Sequence, residues 1–139
     1  MKSTPTENTD SIFLPLIKGE KPEFVIAENE QFMAVIEENP LMIGHCLVFT
    51  KRIEDSFFDL SDDETANIMI FAKSVSQAIK KTVDCKKIGL AVIGLQVRHA
   101  HIHLVPINCA DDLNFTRTRL ALTPKDLSDS VNRIKAHLK

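Results

Sequence analysis

Arg98-His99-Ala100-His101-Ile102-His103-Leu104-Val105-Pro106 decides how the rest of the chain is read. Three histidines alternate with apolar residues, and alternation at period two is a strand pattern. Residues at i, i+2 and i+4 of a strand share a face, so His99, His101 and His103 are expected to point one way. At about 3.3 Å of rise per residue their rings start roughly 6.6 Å apart. Ala100, Ile102 and Leu104 point the other way, into a core. Crowded imidazoles resist being charged together, so at least one is expected to stay neutral near pH 7. Neutral imidazole is a nucleophile, an acid–base group and a metal ligand. Two chemistries follow. One is nucleotidyl transfer to a histidine, with a second, protonated imidazole at the leaving group. The other is a metal site, in which a His-x-His pair supplies two ligands and a third histidine completes the set. A strand that merely contains histidines is the remaining reading, and strict threefold alternation argues against it.

Upstream of this strand, Lys87 to Val92 is apolar and β-compatible, and Gly94 separates the two, so a hairpin is the simplest pairing. Before it, Ser61-Asp62-Asp63-Glu64 has the spacing of a capping box. From there to about Lys81, Ile68, Phe71, Ala72, Val75, Ala78 and Ile79 share one helical face. Earlier still, Phe24 to Glu28 and Phe32 to Glu37 form short β-rich runs around the polar Asn29-Glu30 turn. Gly44 leads into a third strand over His45 to Thr50. Ile12, Phe13, Leu16 and Ile17 fall at helical spacing, with Ser11 or Asp10 as the cap and Gly19 as the stop. Downstream, Asn108 to Arg119 is polar and irregular. Thr123-Pro124 then starts a last helix, with Leu127, Val131 and Ile134 as its apolar stripe. Residues 1–10 read as a disordered leader and residues 11–139 as one domain. The order of elements predicts an antiparallel α+β fold.

Composition narrows the function. The 139 residues are 44% hydrophobic, which suits a globular core. A net charge of -2, with neither Trp nor Tyr, gives no basis for nucleic-acid binding. No apolar run is long enough to span a membrane, and residues 1–10 hold no apolar signal core, so a cytoplasmic protein is expected. Cys46, Cys85 and Cys109 are odd in number and far apart, which reads as reduced thiols.

His99-Ala-His101-Ile-His103-Leu-Val105 resembles the His-φ-His-φ-His-φ-φ signature (φ apolar) of the histidine triad, or HIT, family. Ile12-Phe13 with Ile17-Lys18-Gly19-Glu20-Lys21-Pro22 is similar to that family's N-terminal block. Pro40, Gly44-His45, Leu47-Val48 and Lys51 are similar to its Pro…Gly-His-x-Leu-Val…Lys block. The resemblance covers about residues 11 to 106. It implies a five-stranded antiparallel sheet with flanking helices and a homodimer. It also implies hydrolysis or transfer of a purine nucleotide-type substrate, such as a nucleoside phosphoramidate or a dinucleoside polyphosphate, without cofactor or metal. By position, His101 would be the nucleophile, His103 would contact phosphate oxygens and the leaving group, and His99 and His45 would support them. Glu37 would bind the ribose hydroxyls, Gln96 would contact phosphate, and Ile12, Phe13, Leu16 and Val35 would line the base pocket. His103 favours the hydrolases, because the uridylyltransferase branch carries Gln there.

The chain also departs from the pattern. Leu95 follows Gly94 where the family often has Gln, and Ile88 replaces a common Asn. Ser11 and Leu14 stand where some members carry a Cys-x-x-Cys pair, so the structural zinc of those members is not expected. After Pro106 the Gly-Gly-Arg…Trp-Pro tail of the phosphoramidase branch is missing. A weakly active nucleotide-binding or partner-binding module is the alternative that these departures leave open.

Overall fold

The computed structural model describes residues 11–138; the expected leader over residues 1–10 lies outside the described residues. A short helix α1 (Leu14–Ile17) is followed by strands β1 (Val25–Glu28), β2 (Phe32–Ile36) and β3 (Cys46–Thr50). The long helix α2 (Asp62–Thr82) comes next, then β4 (Lys87–Ala91), β5 (His101–Ile107) and the helix α3 (Pro124–Lys135). The strands form one antiparallel sheet in the order β1-β2-β3-β5-β4. The α+β architecture is thus the expected one, with both hairpins in place.

Local chemistry accounts for the elements. Ser61 Oγ accepts from the Glu64 N–H and the Glu64 carboxylate accepts from the Ser61 N–H, closing the capping box that starts α2. Thr123 and Asp126 do the same for α3, with Pro124 in the first turn. Ser11 does not cap α1; the residue at that cap is Phe13. Gly19, at φ +84°, ends the segment after α1.

Register assigns the two faces of the sheet. Met33 pairs with Phe49 and Phe49 with His101; Val35 pairs with Leu47 and Leu47 with His103. Directly paired residues project to the same side, so these six share one face. Phe32, Ala34, Val48, Ile102 and Leu104 lie on the other. There Ile68, Ala72, Val75 and Ile79 of α2 and Leu127, Val131 and Ile134 of α3 complete the core. The histidine face is covered too: Phe13 stacks on Phe49 with ring centroids 4.1 Å apart and planes within 4°.

One expectation is corrected here. The strand begins at His101, and His99 sits in the bend before it, because the Ala100 N–H is diverted to the Glu54 carbonyl at 2.7 Å. Cys46 and Cys85 are buried and Cys109 is exposed, all with free thiols.

Candidate active site

Four of the five histidines converge on one face of the sheet, and their hydrogen bonds fix which nitrogen of each ring carries a proton. A carbonyl only accepts and a backbone N–H only donates. The Leu41 N–H donates to His45 Nδ1 at 3.0 Å, so the proton of neutral His45 is on Nε2. That Nε2–H donates to His103 Nδ1 at 3.0 Å, which puts the His103 proton on its own Nε2. His101 Nδ1–H donates to the His99 carbonyl at 2.6 Å, leaving His101 Nε2 with an open lone pair. His99 Nε2–H donates to the Thr50 carbonyl at 2.7 Å, and its Nδ1 accepts from the Ser11 hydroxyl at 2.8 Å. The rings of His101 and His103 lean together, with centroids 4.9 Å apart. The arrangement offers a nucleophilic nitrogen beside a hydrogen-bond donor.

The fold holds these rings from several directions. Gly44 sets His45: its φ is +96°, and a Cβ there would lie 2.8 Å from Val83 Cγ2 and 3.2 Å from Pro106 Cγ. Phe13 meets the rings of His99 and His101 edge-on at 5.2 and 5.4 Å. Phe115 meets His103 edge-on at 4.6 Å and lies 6.3 Å from His45. β4 ends at Ala91, opposite His103, so no β4 residue is paired with His101.

Burial sets the electrostatics. His45 and His103 are pushed down to about 3, first by desolvation, then by other histidines and Arg119. His99 and His101 are also lowered, again chiefly by desolvation. At neutral pH the free site therefore holds neutral imidazoles, rather than the protonated imidazole that the nucleotidyl-transfer reading places at the leaving group.

The remaining candidates fall in different places. Glu37 is half-buried beside the pair: its Oε2 accepts from the Asn39 N–H at 3.2 Å and its Oε1 is 3.9 Å from Arg119 Nη1. Burial raises its pKa despite those contacts. Glu37, His45 and His103 each offer one ligand atom within 4.8 Å of the others. The shared proton accounts for the His45–His103 approach, and the Arg119 guanidinium opposes a cation at Glu37. Phe13 and Val35 are 1% exposed and act as core, Leu16 is buried, and Ile12 is exposed. Leu16 borders a groove of about 470 Å³ with Val25, Ile26 and Met33. Gln96 is exposed and makes no hydrogen bond within the described residues.

Sequence reasoning did not find Ser11, Leu41, Thr50 or Phe115. Leu41 and Thr50 act through backbone groups, which no side-chain pattern reports. Arg117 and Arg119 take their positions only from the folded loop. Arg98 pairs with Asp55 at 2.8 Å on the surface.

The HIT domain model matches residues 18–108. The chain is 27% identical over 142 residues to an adenylylsulfatase, HINT3, of Arabidopsis thaliana, covering 96% of this chain and 72% of that protein. It is 28% identical over 107 residues to the adenosine 5'-monophosphoramidase HNT1 of Saccharomyces cerevisiae, covering 76% of this chain and 68% of that protein. Its fold matches that of a HIT-like protein from Bartonella henselae with a TM-score of 0.80 at 21% identity, covering 94% and 97% of the two chains.

Proposed function

Because the chain belongs to the HIT domain family, we propose that it is a nucleotide hydrolase acting through a nucleotidyl-histidine intermediate on His101. The observation that carries this reading is the hydrogen-bond chain Leu41 N–H to His45 to His103, together with the His101 bond to the His99 carbonyl. It presents an unprotonated Nε2 on His101 next to an Nε2–H on His103. The first attacks phosphorus; the second donates to a phosphate oxygen or to the leaving group. The His101 Nδ1–H remains on a carbonyl, which eases the positive charge that grows on the ring as the N–P bond forms. Water then adds to phosphorus, the P–N bond breaks, and a nucleoside monophosphate is released. The protein supplies position and hydrogen bonds, which is most of what phosphoryl transfer requires.

The substrate we assign is a purine nucleotide carrying a phosphoramidate, sulfate or further phosphate. Met33 shares the histidine face two strands from His101, roughly 10 Å away at the usual strand spacing. The groove beside Leu16 and Met33 is therefore our candidate for the base, with Glu37 near the ribose. Two relatives in the family carry names of this chemistry, a monophosphoramidase and an adenylylsulfatase.

We place a second copy of the chain on α2 and β4. β4 is a sheet edge, and Met69, Ile70 and Leu90 expose apolar surface around a groove of about 420 Å³. None of the helices among the described residues is long and apolar enough to cross a membrane.

Incubation with adenosine 5′-phosphoramidate or a dinucleoside polyphosphate tests the reading. Wild type is expected to release adenosine monophosphate, and His101→Ala to lose at least about a thousandfold in kcat. Equal activity in the variant refutes the assigned nucleophile. Micromolar binding without turnover across such substrates favours a binding module, a reading to which the solvent-exposed Leu95 and Gln96 lend support.

A further inference from the structure

The loop after β5 carries two arginines with different fates. Arg117 is consumed by the fold: Nη1 donates to Asp112 Oδ1 at 3.1 Å, and Nη2 donates to the Leu41 carbonyl at 3.1 Å. Arg119 is not consumed. All its polar contacts among the described residues run through Nη1, to the Asn39 carbonyl at 2.7 Å and, at 3.9 Å, to Glu37 Oε1. Nε and Nη2 keep their donors, and the side chain is 34% exposed. The guanidinium carbon lies 5.6 Å from the centre of the Phe115 ring, and that ring meets His103 edge-on at 4.6 Å. A cation is thus held one ring away from the imidazole that faces the leaving group, outside residues 18–108 that match the family.

Neutral imidazoles are weak acids. A leaving group that departs as a stable anion does not need their proton; it needs positive charge and donors beside it. Resting on the histidine-hydrolase reading above, we propose that Arg119 is the specificity-determining residue that receives an anionic leaving group, a sulfate or phosphate bonded to the nucleotide phosphorus. Its planar fork presents Nε and Nη2 together, which matches two oxygens of a tetrahedral oxyanion. In the first step the His101 Nε2 lone pair forms the N–P bond. The P–O bond to the sulfate or phosphate breaks, and its electron pair leaves with the anion toward the guanidinium. In the second step water adds to phosphorus and the P–N pair returns to His101 Nε2. The surplus proton of that water passes to bulk solvent.

The test compares adenosine 5′-phosphosulfate with adenosine 5′-phosphoramidate, whose leaving group departs as ammonia, in wild type, Arg119→Gln and Arg119→Lys. The ratio of kcat/KM for the phosphosulfate over the phosphoramidate is expected to fall at least about tenfold in Arg119→Gln, with part of it restored in Arg119→Lys. A ratio unchanged from wild type overturns the proposal, even if both rates fall together. Wild type that cleaves the phosphoramidate but not the phosphosulfate overturns the Arg119 assignment and leaves the hydrolase reading intact. Wild type that cleaves neither overturns the Arg119 assignment, and the hydrolase reading falls with it if a dinucleoside polyphosphate is also left intact. Should Arg119→Gln unfold, as read by thermal melting, the Arg119→Lys ratio decides alone, and a value equal to wild type counts against the proposal.

Discussion

Acidification should weaken this fold through the buried histidine pair. Burial pushes His45 and His103 down to about 3 in the folded chain, against 6.5 for a free imidazole. Between those values the unfolded chain binds protons that the folded chain refuses. Stability is therefore full above about pH 6.5 and falls as pH drops through the window toward 3. From about pH 7.5 to about pH 5.5, each such histidine costs RT ln 10, about 1.4 kcal/mol, and the pair costs about 3 kcal/mol. The result needs only that both folded values lie below the lower pH. His99 and His101 shift in the same sense and add to the loss, whereas the raised carboxyl of Glu37 works against it. Urea unfolding at the two pH values reads the effect. With a slope of about 2 kcal/mol per molar for a chain of this size, the pair alone moves the midpoint by about 1.5 M. The double variant His45→Gln/His103→Gln removes both sites, and its pH dependence should be smaller by about 3 kcal/mol. A difference under about 1 kcal/mol would refute the claim that burial keeps the two rings neutral.

Two further outcomes follow from the site's supports. His45→Ala deprives His103 Nδ1 of its donor and frees that ring to change tautomer; kcat should fall about tenfold to a hundredfold with a smaller change in KM, and a kcat within twofold of wild type would show that the tautomer is held otherwise. Gly44→Ala forces an L side chain to φ +96° and its Cβ to 2.8 Å from Val83 Cγ2; unfolding free energy should drop by about 2–4 kcal/mol, and a loss below about 0.5 kcal/mol in urea melts would mean that the segment relaxes freely.

Much of the architecture was legible because it rests on periodicity and caps. The alternation at Ile102 to Leu104, the helical stripe of Ile68, Ala72, Val75 and Ile79, and the Ser61 and Thr123 capping boxes are local rules with local causes. His99 escaped its strand because the competing acceptor, the Glu54 carbonyl, is remote in sequence. Residue types at positions 45, 99, 101 and 103 determined which chemistry was available, since only imidazole combines a lone pair and a proton near neutral pH. Which nitrogen attacks was decided by the tertiary structure alone, through the backbone groups of Leu41, Thr50 and His99. So was the charge on the rings, since desolvation depends on how Phe13, Phe49 and Phe115 close around them. The physical reason is that proton positions and dielectric surroundings are set by atoms far apart in the chain, which only the packed fold brings together.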